Sequence, residues 1–177
     1  RVELKVLNLE SGLSRTILPA DINYSYADGD QWYQWSPDGK WFLASYSPNA
    51  VFFRDVALID ASGKQEIVNL TNSGYGDGMP KWMMKGKMMI WSSDRHGYRS
   101  HGSWGSHDDI YGMFFTQEAF DRFNLTEEEL KLFEEKEKNH KKKEDKEEDK
   151  NKKDKDKKDA EDKEEEIDQI EFELDGI

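Results

Sequence analysis

Cysteine is absent from the chain, so disulfides and thiolate metal sites are unavailable to it. Proline is sparse, at 4 of 177 residues, which leaves long stretches free for regular backbone pairing. No apolar run approaches the ~20 residues that a membrane-spanning helix needs. A surplus of base is also missing: 26 Lys and Arg stand against 38 Asp and Glu, a formal charge of −12. The Lys-rich stretch is interleaved with more acid than base. The sequence therefore offers no basic face for nucleic acid.

What the chain does contain is a repeated hairpin. Trp35-Ser36-Pro37-Asp38-Gly39-Lys40-Trp41-Phe42 returns in degenerate form as Trp82-Met83-Met84-Lys85-Gly86-Lys87-Met88-Met89, 47 residues later. In both, an aromatic ends one apolar run, Gly-Lys closes a tight turn, and a second apolar run follows. Gly39 and Gly86 supply the positive φ that a short hairpin needs. The repeat extends outward. Tyr26-Ala27-Asp28-Gly29 matches Tyr75-Gly76-Asp77-Gly78, and Ser45 matches Ser92. Asp55 to Asp60 matches Asp109 to Phe114 at an offset of 54, and Asn69-Leu70-Thr71 matches Asn124-Leu125-Thr126 at 55. Leu4 to Leu9 with Ser11-Gly12 matches Val56 to Asp60 with Ser62-Gly63. A period of about 50 suits four short strands and their turns, as in propeller blades.

Composition divides the chain. Residues 1–126 hold 20 of the 22 aromatics and carry 15 acids and 12 bases. Residues 127–166 hold 19 acids and 14 bases, so 33 of 40 positions are charged. Such a segment cannot bury enough apolar surface to offset its ordering entropy, and reads as a solvated linker. Residues 167–177 regain a period of two in Ile170-Glu171-Phe172-Glu173-Leu174, a half-buried strand. Both ends read as cuts through a larger protein.

The expected fold class is all-β: a partial β-propeller of about two and a half four-stranded antiparallel blades over 1–126, then short helices and a charged linker. Strands are expected near Val2–Asn8, Arg15–Leu18, Tyr33–Trp35, Trp41–Tyr46, Asp55–Asp60 and Gln65–Leu70. The last unit has strands near Lys81–Met84, Met88–Ser92 and Asp109–Phe115, and lacks a fourth. In its place Gln117 to Phe123 reads as a short helix, and Thr126-Glu127-Glu128-Glu129 is a capping box opening another. Ile170–Leu174 is expected to pair with the last strand as a substitute. Residues 134–166 are expected to make almost no contact with the β region.

The W-S-P-D-G-K hairpin followed by a D-I-Y strand resembles the PD40 or TolB-type propeller repeat. Leu70-Thr71-Asn72, Asp77-Gly78-Met79-Pro80-Lys81-Trp82, Trp91-Ser92-Ser93-Asp94-Arg95-His96-Gly97 and Asp109-Ile110-Tyr111 resemble the propeller region of tricorn-like serine proteases. Glu173-Leu174-Asp175-Gly176-Ile177 is similar to the strand and turn after the charged insertion of bacterial members. The resemblance implies a non-catalytic segment that gates and routes peptides or unfolded protein to a C-terminal catalytic domain of the same parent chain. It implies a periplasmic location, with the cytoplasm as the alternative, and no cofactor. The hairpin alone is shared with TolB-like protein-binding scaffolds and with propellers of prolyl-oligopeptidase-type peptidases, which stay open as alternatives.

Candidate sites are few. No residue has the setting of a catalytic nucleophile; Ser103 lacks the G-x-S-x-G spacing and the strand-turn-helix context. Arg95, Tyr98, Arg99 and Trp104 lie in a Gly-rich insertion, where aromatics can stack on a peptide and Arg can meet a carboxylate. Arg54, Trp32 and Tyr33 offer the same chemistry nearby. His96, His101 and His107 with Asp108 and Asp109 are a weaker alternative as metal ligands, because their spacing fits no helix or strand face. Asp28, Asp30, Asp77 and Asp94 sit in turns, where Asp bonds local backbone more often than it binds Ca²⁺. Trp35, Trp41, Trp82 and Trp91 fall on repeated strand positions and are expected to pack between blades.

Overall fold

A computed structural model describes residues 3–24, 31–50, 53–98, 105–136 and 169–174. These residues are mostly β, in three small antiparallel sheets, with two helices. The first sheet pairs β1 (Leu4–Leu7) with β2 (Ser14–Leu18). The second runs in the order β3 (Tyr33–Trp35), β4 (Trp41–Ala50), β5 (Phe53–Asp60), β6 (Val68–Asn69). The third runs β7 (Asp77–Met83), β8 (Met88–Ser93), β9 (Asp109–Phe114). Two compact units separate, Arg1–Thr116 with Ile167–Ile177, and Gln117–Glu166.

The sequence repeat is a repeat of strand register. Trp35 pairs with Phe42 and Trp82 with Met89, both shifted by 47. Trp41 pairs with Asp60, and Met88, 47 further on, pairs with Phe114, 54 further on. The turns follow from their glycines. Gly39 has φ 67° and Gly86 has φ 96°, conformations in which a Cβ would be strained. The second turn is tighter, a 3₁₀ turn over Met84–Gly86 in which Met84 and Lys85 also take positive φ.

The two central strands of the middle sheet, β4 and β5, are buried on both faces, and their alternation explains how. Phe42, Ala44 and Tyr46 of β4 and Ala57 and Ile59 of β5 join Ile17 and Leu18 of β2 in one core. Leu43 of β4 and Val56 and Leu58 of β5 point the other way, into a second core with Trp82, Met89 and Trp91 of the third sheet. Adjacent side chains of a strand leave on opposite faces, so a strand covered on both sides must be a near-continuous apolar run. The third sheet has one face in the second core and lacks such cover on the other among the described residues. Ile110, in the register position that Val56 occupies, is 71% exposed.

Two expectations are corrected. Trp35 does not pack between sheets as Trp82 does. It is 45% exposed and lies against Phe42 of its own sheet, ring centres 3.8 Å apart. Asn124-Leu125-Thr126, whose match to Asn69-Leu70-Thr71 in the repeat predicts a strand end, is none. Asn124 closes α1 (Gln117–Phe123), its N–H donating to Phe120 O at 3.2 Å, and Thr126 opens a helix over 127–136. There Glu129 N–H donates to Thr126 Oγ1 at 3.3 Å, and Thr126 N–H to Glu129 Oε2 at 2.9 Å, the reciprocal bonds of a capping box. The Thr126 N–H, and then the Thr126 hydroxyl, which donates to Glu129 Oε2 at 2.8 Å, hold the Glu129 carboxyl below its ordinary value. The linker expected beyond residue 136 lies outside the described residues.

The returning segment reaches the expected place without forming a ladder. Glu173 N–H donates to Phe115 O at 2.8 Å, just past the last strand. Phe172 instead enters the second core, its ring centre 5.0 Å from those of Trp41 and Phe115. Ile170 is buried beside it. Burying such side chains contributes about 1.5–3 kcal/mol each, more than a short ladder at a wet edge.

Asp38 ties this segment to the first hairpin. Its Oδ2 accepts the Ile170 N–H at 3.3 Å, and its Oδ1 accepts the Lys40 N–H at 3.1 Å. Partial burial alone would raise the Asp38 carboxyl, but hydrogen bonds from Ser36, Lys40 and Ile170 and the charge of Lys40 leave it below its ordinary value. A lowered folded pKa contributes stability that is present above the unfolded value of about 3.9 and lost as pH falls through the folded one. The Ile170 amide is therefore expected to exchange faster as pH drops below about 4, after correction for intrinsic rates. Asp38→Asn is expected to remove that step, and a step that persists would refute the assignment.

Candidate functional site

A cleft of about 250 Å³ opens where the middle and third sheets meet. The irregularity that shapes it is in β7. Pro80 cannot donate to a ladder, and the β7–β8 register shifts between Gly78 and Lys81. Met79 takes φ 52° at this bulge and is left exposed. Its N–H donates to Ser45 Oγ of β4 at 3.2 Å, while Ser92 Oγ of β8 donates to Gly78 O at 3.2 Å. Trp32 closes one side, its Nε1–H donating to Pro80 O at 2.9 Å. Arg54, at the start of β5, brings a cation to the lining, and Asp77, at the start of β7, and Asp108, just before β9, bring carboxylates.

A polar network adjoins the cleft and reaches its lining through Asp77. Asp77 is fully buried and accepts bonds from Trp91 Nε1 at 3.2 Å and from Ser73 Oγ. Asp55 accepts from Asn69 Nδ2 at 2.9 Å, Thr71 Oγ1 at 3.3 Å and Ser73 N at 3.4 Å. Both carboxylates are thus spent on holding loops, as turn Asp residues usually are. Asp94 does the same, accepting the Gly76 N–H at 2.9 Å. Burial, and then the charge of Asp55, push the Tyr46 hydroxyl up to about 12, so it stays protonated at neutral pH and is no base.

The residues singled out from the sequence divide. Arg54 and Trp32 line the cleft. Arg95 does not; its guanidinium lies 5.6 Å from the ring centre of Tyr75 and 5.5 Å from that of Tyr111, stacked against both. Tyr98 is exposed, its ring centre 6.1 Å from that of His107. His96 Nδ1 is 2.7 Å from the Tyr111 hydroxyl. Among the described residues no three His, Asp or Glu side chains gather as metal ligands. Arg99, His101, Ser103, Trp104, Asp28 and Asp30 lie outside the described residues. Ser45, Met79 and Asp108 were not legible as cleft residues. Pro80 inside a strand was the available signal, since it demands a bulge.

The cleft can make apolar contact through Trp32 and Met79, and charged contact through Arg54 and Asp108. Comparison with protein-family models, curated proteins and solved structures finds no match to this chain.

Proposed function

We propose that this chain is a non-catalytic segment of a β-propeller from a tricorn-like serine protease, scaffolding and gating peptide access to a separate catalytic domain. The observation that carries the reading is the hairpin repeated in one register, with the sheets stacked face to face. Neighbouring propeller blades have that relation. The cleft between the second and third sheets is then a contact for peptides in transit. Trp32 and Met79 hold apolar side chains, and Arg54 a carboxylate. Transit favours shallow contacts of this kind, because a deep pocket would retain the peptide.

The reading has two tests. The gene beyond residue 177 is expected to encode a peptidase core with a PDZ-like domain, and an α/β-hydrolase domain there would replace the reading. Second, the purified chain is expected to release no products from a mixed peptide library followed by mass spectrometry. An acyl-transfer nucleophile needs a positioned base and an oxyanion hole, each worth several kcal/mol of barrier. Turnover that disappears on Ser103→Ala would make the Gly-rich insertion an active site and overturn the proposal.

A further inference from the structure

The middle sheet has four strands and the third has three among the described residues. Their hydrogen bonds show which position is open. Ala61 N–H donates to Lys40 O at 2.8 Å, and Phe115 N–H donates to Lys87 O at 3.0 Å. These bonds mark the same rung of the two sheets. In an antiparallel ladder, alternate residues turn their main-chain groups to opposite edges. The groups of Val56 and Leu58 thus face away from β4, and those of Ile110 and Gly112 face away from β8.

On β5 these groups are used. Leu70 N–H donates to Val56 O at 2.8 Å, Val56 N–H donates to Thr71 Oγ1 at 3.0 Å, and Leu58 pairs with Val68. Val68 and Leu70 pack into the second core, so the added strand also covers a face. On β9 no strand takes them among the described residues. The usual protections of an edge are missing too. β9 carries neither Lys nor Pro, its one charge is the terminal Asp109, and Ile110 stands exposed.

We propose that the edge of β9 left unpaired among the described residues accepts an extended segment of another polypeptide, which pairs antiparallel at Ile110 and Gly112 as a fourth strand. The occupant is of the β6 kind, apolar at alternate positions and free of Pro where its N–H groups meet the edge. The chain itself shows the fit, since β6 fills the equivalent place on β5. Main-chain bonds supply the attachment, and the alternate apolar side chains cover Ile110. This site is separate from the cleft and does not depend on a protease parent.

The experiment uses the full chain and a synthetic peptide with the sequence of Glu66–Asn72. Amide hydrogen exchange at Ile110 and Gly112 is expected to be fast in the free chain and at least about tenfold slower with saturating peptide. Ile110→Pro removes an edge N–H without touching the β8 ladder, and is expected to weaken binding about tenfold or more; Ile110→Thr keeps the N–H and should bind. If Ile110→Pro fails to fold, a peptide carrying Leu70→Pro tests the neighbouring bond at the same residue, the one the peptide's Leu70 N–H would donate to Ile110 O as Leu70 does to Val56 O. Failure of the peptide to bind at millimolar concentration, or binding indifferent to both prolines, overturns the proposal. Edge amides already protected without peptide also overturn it, and protection that grows with protein concentration would assign the edge to a second copy instead.

Discussion

Phe115→Ala is expected to destabilise the β unit by about 3–5 kcal/mol, the range for deleting a buried aromatic ring. Phe115 is 1% exposed and sits at the meeting point of three elements. Its ring centre is 5.4 Å from that of Trp82 in β7 and 5.0 Å from that of Phe172 in the returning segment. Removing the ring loses the transfer energy and leaves a cavity that two large neighbours cannot readily close. Small domains have only about 5–15 kcal/mol in total, so this is a large share. Urea denaturation followed by tryptophan fluorescence checks it. The midpoint should fall with little change in slope. A loss below about 1 kcal/mol would mean that the second core does not depend on this contact.

Gly86→Ala is expected to cost about 3 kcal/mol, from two separable sources. At φ 96° an L side chain is strained, by roughly 1–2 kcal/mol. The added Cβ would also overlap Ile170 Cδ1 and lie 2.7 Å from Ile170 Cγ1. Ile170 would have to leave its buried site, forfeiting part of about 1.5–3 kcal/mol. A double-mutant cycle with Ile170→Ala separates the sources. On that background Gly86→Ala should show only the backbone cost, so the two changes should be non-additive by about 1 kcal/mol or more. Strict additivity would show that the β7–β8 turn and the returning segment do not press on each other.

The hairpins, their registers and the capping box were written in the sequence. Each depends on neighbours a few residues apart: a glycine at the turn, an apolar alternation on either side, or a Thr three residues before a Glu. The near-continuous apolar runs of β4 and β5 fit the burial of both their faces, which became evident only in the structure. The matched letters Trp35 and Trp82 nevertheless met different fates. One stayed half in solvent and the other entered a core, because the second core lies on the face that receives Trp82 and the returning Phe172. Asn124-Leu125-Thr126 copied the letters of a strand end and became a helix boundary, because helical periodicity on both sides outweighed a three-residue match. The returning segment had the alternation of a strand. Whether it would pair at the edge or insert its side chains was settled by the space beside Phe115 and Trp41, which no local pattern reveals. The cleft is likewise tertiary. Pro80 forced a bulge, but only the approach of the middle sheet set Ser45 beneath Met79 and brought Arg54 and Trp32 to one cleft. Turns and alternation are local physics that the sequence specified by itself, whereas the faces that meet, and the gaps left between them, depend on how whole sheets pack.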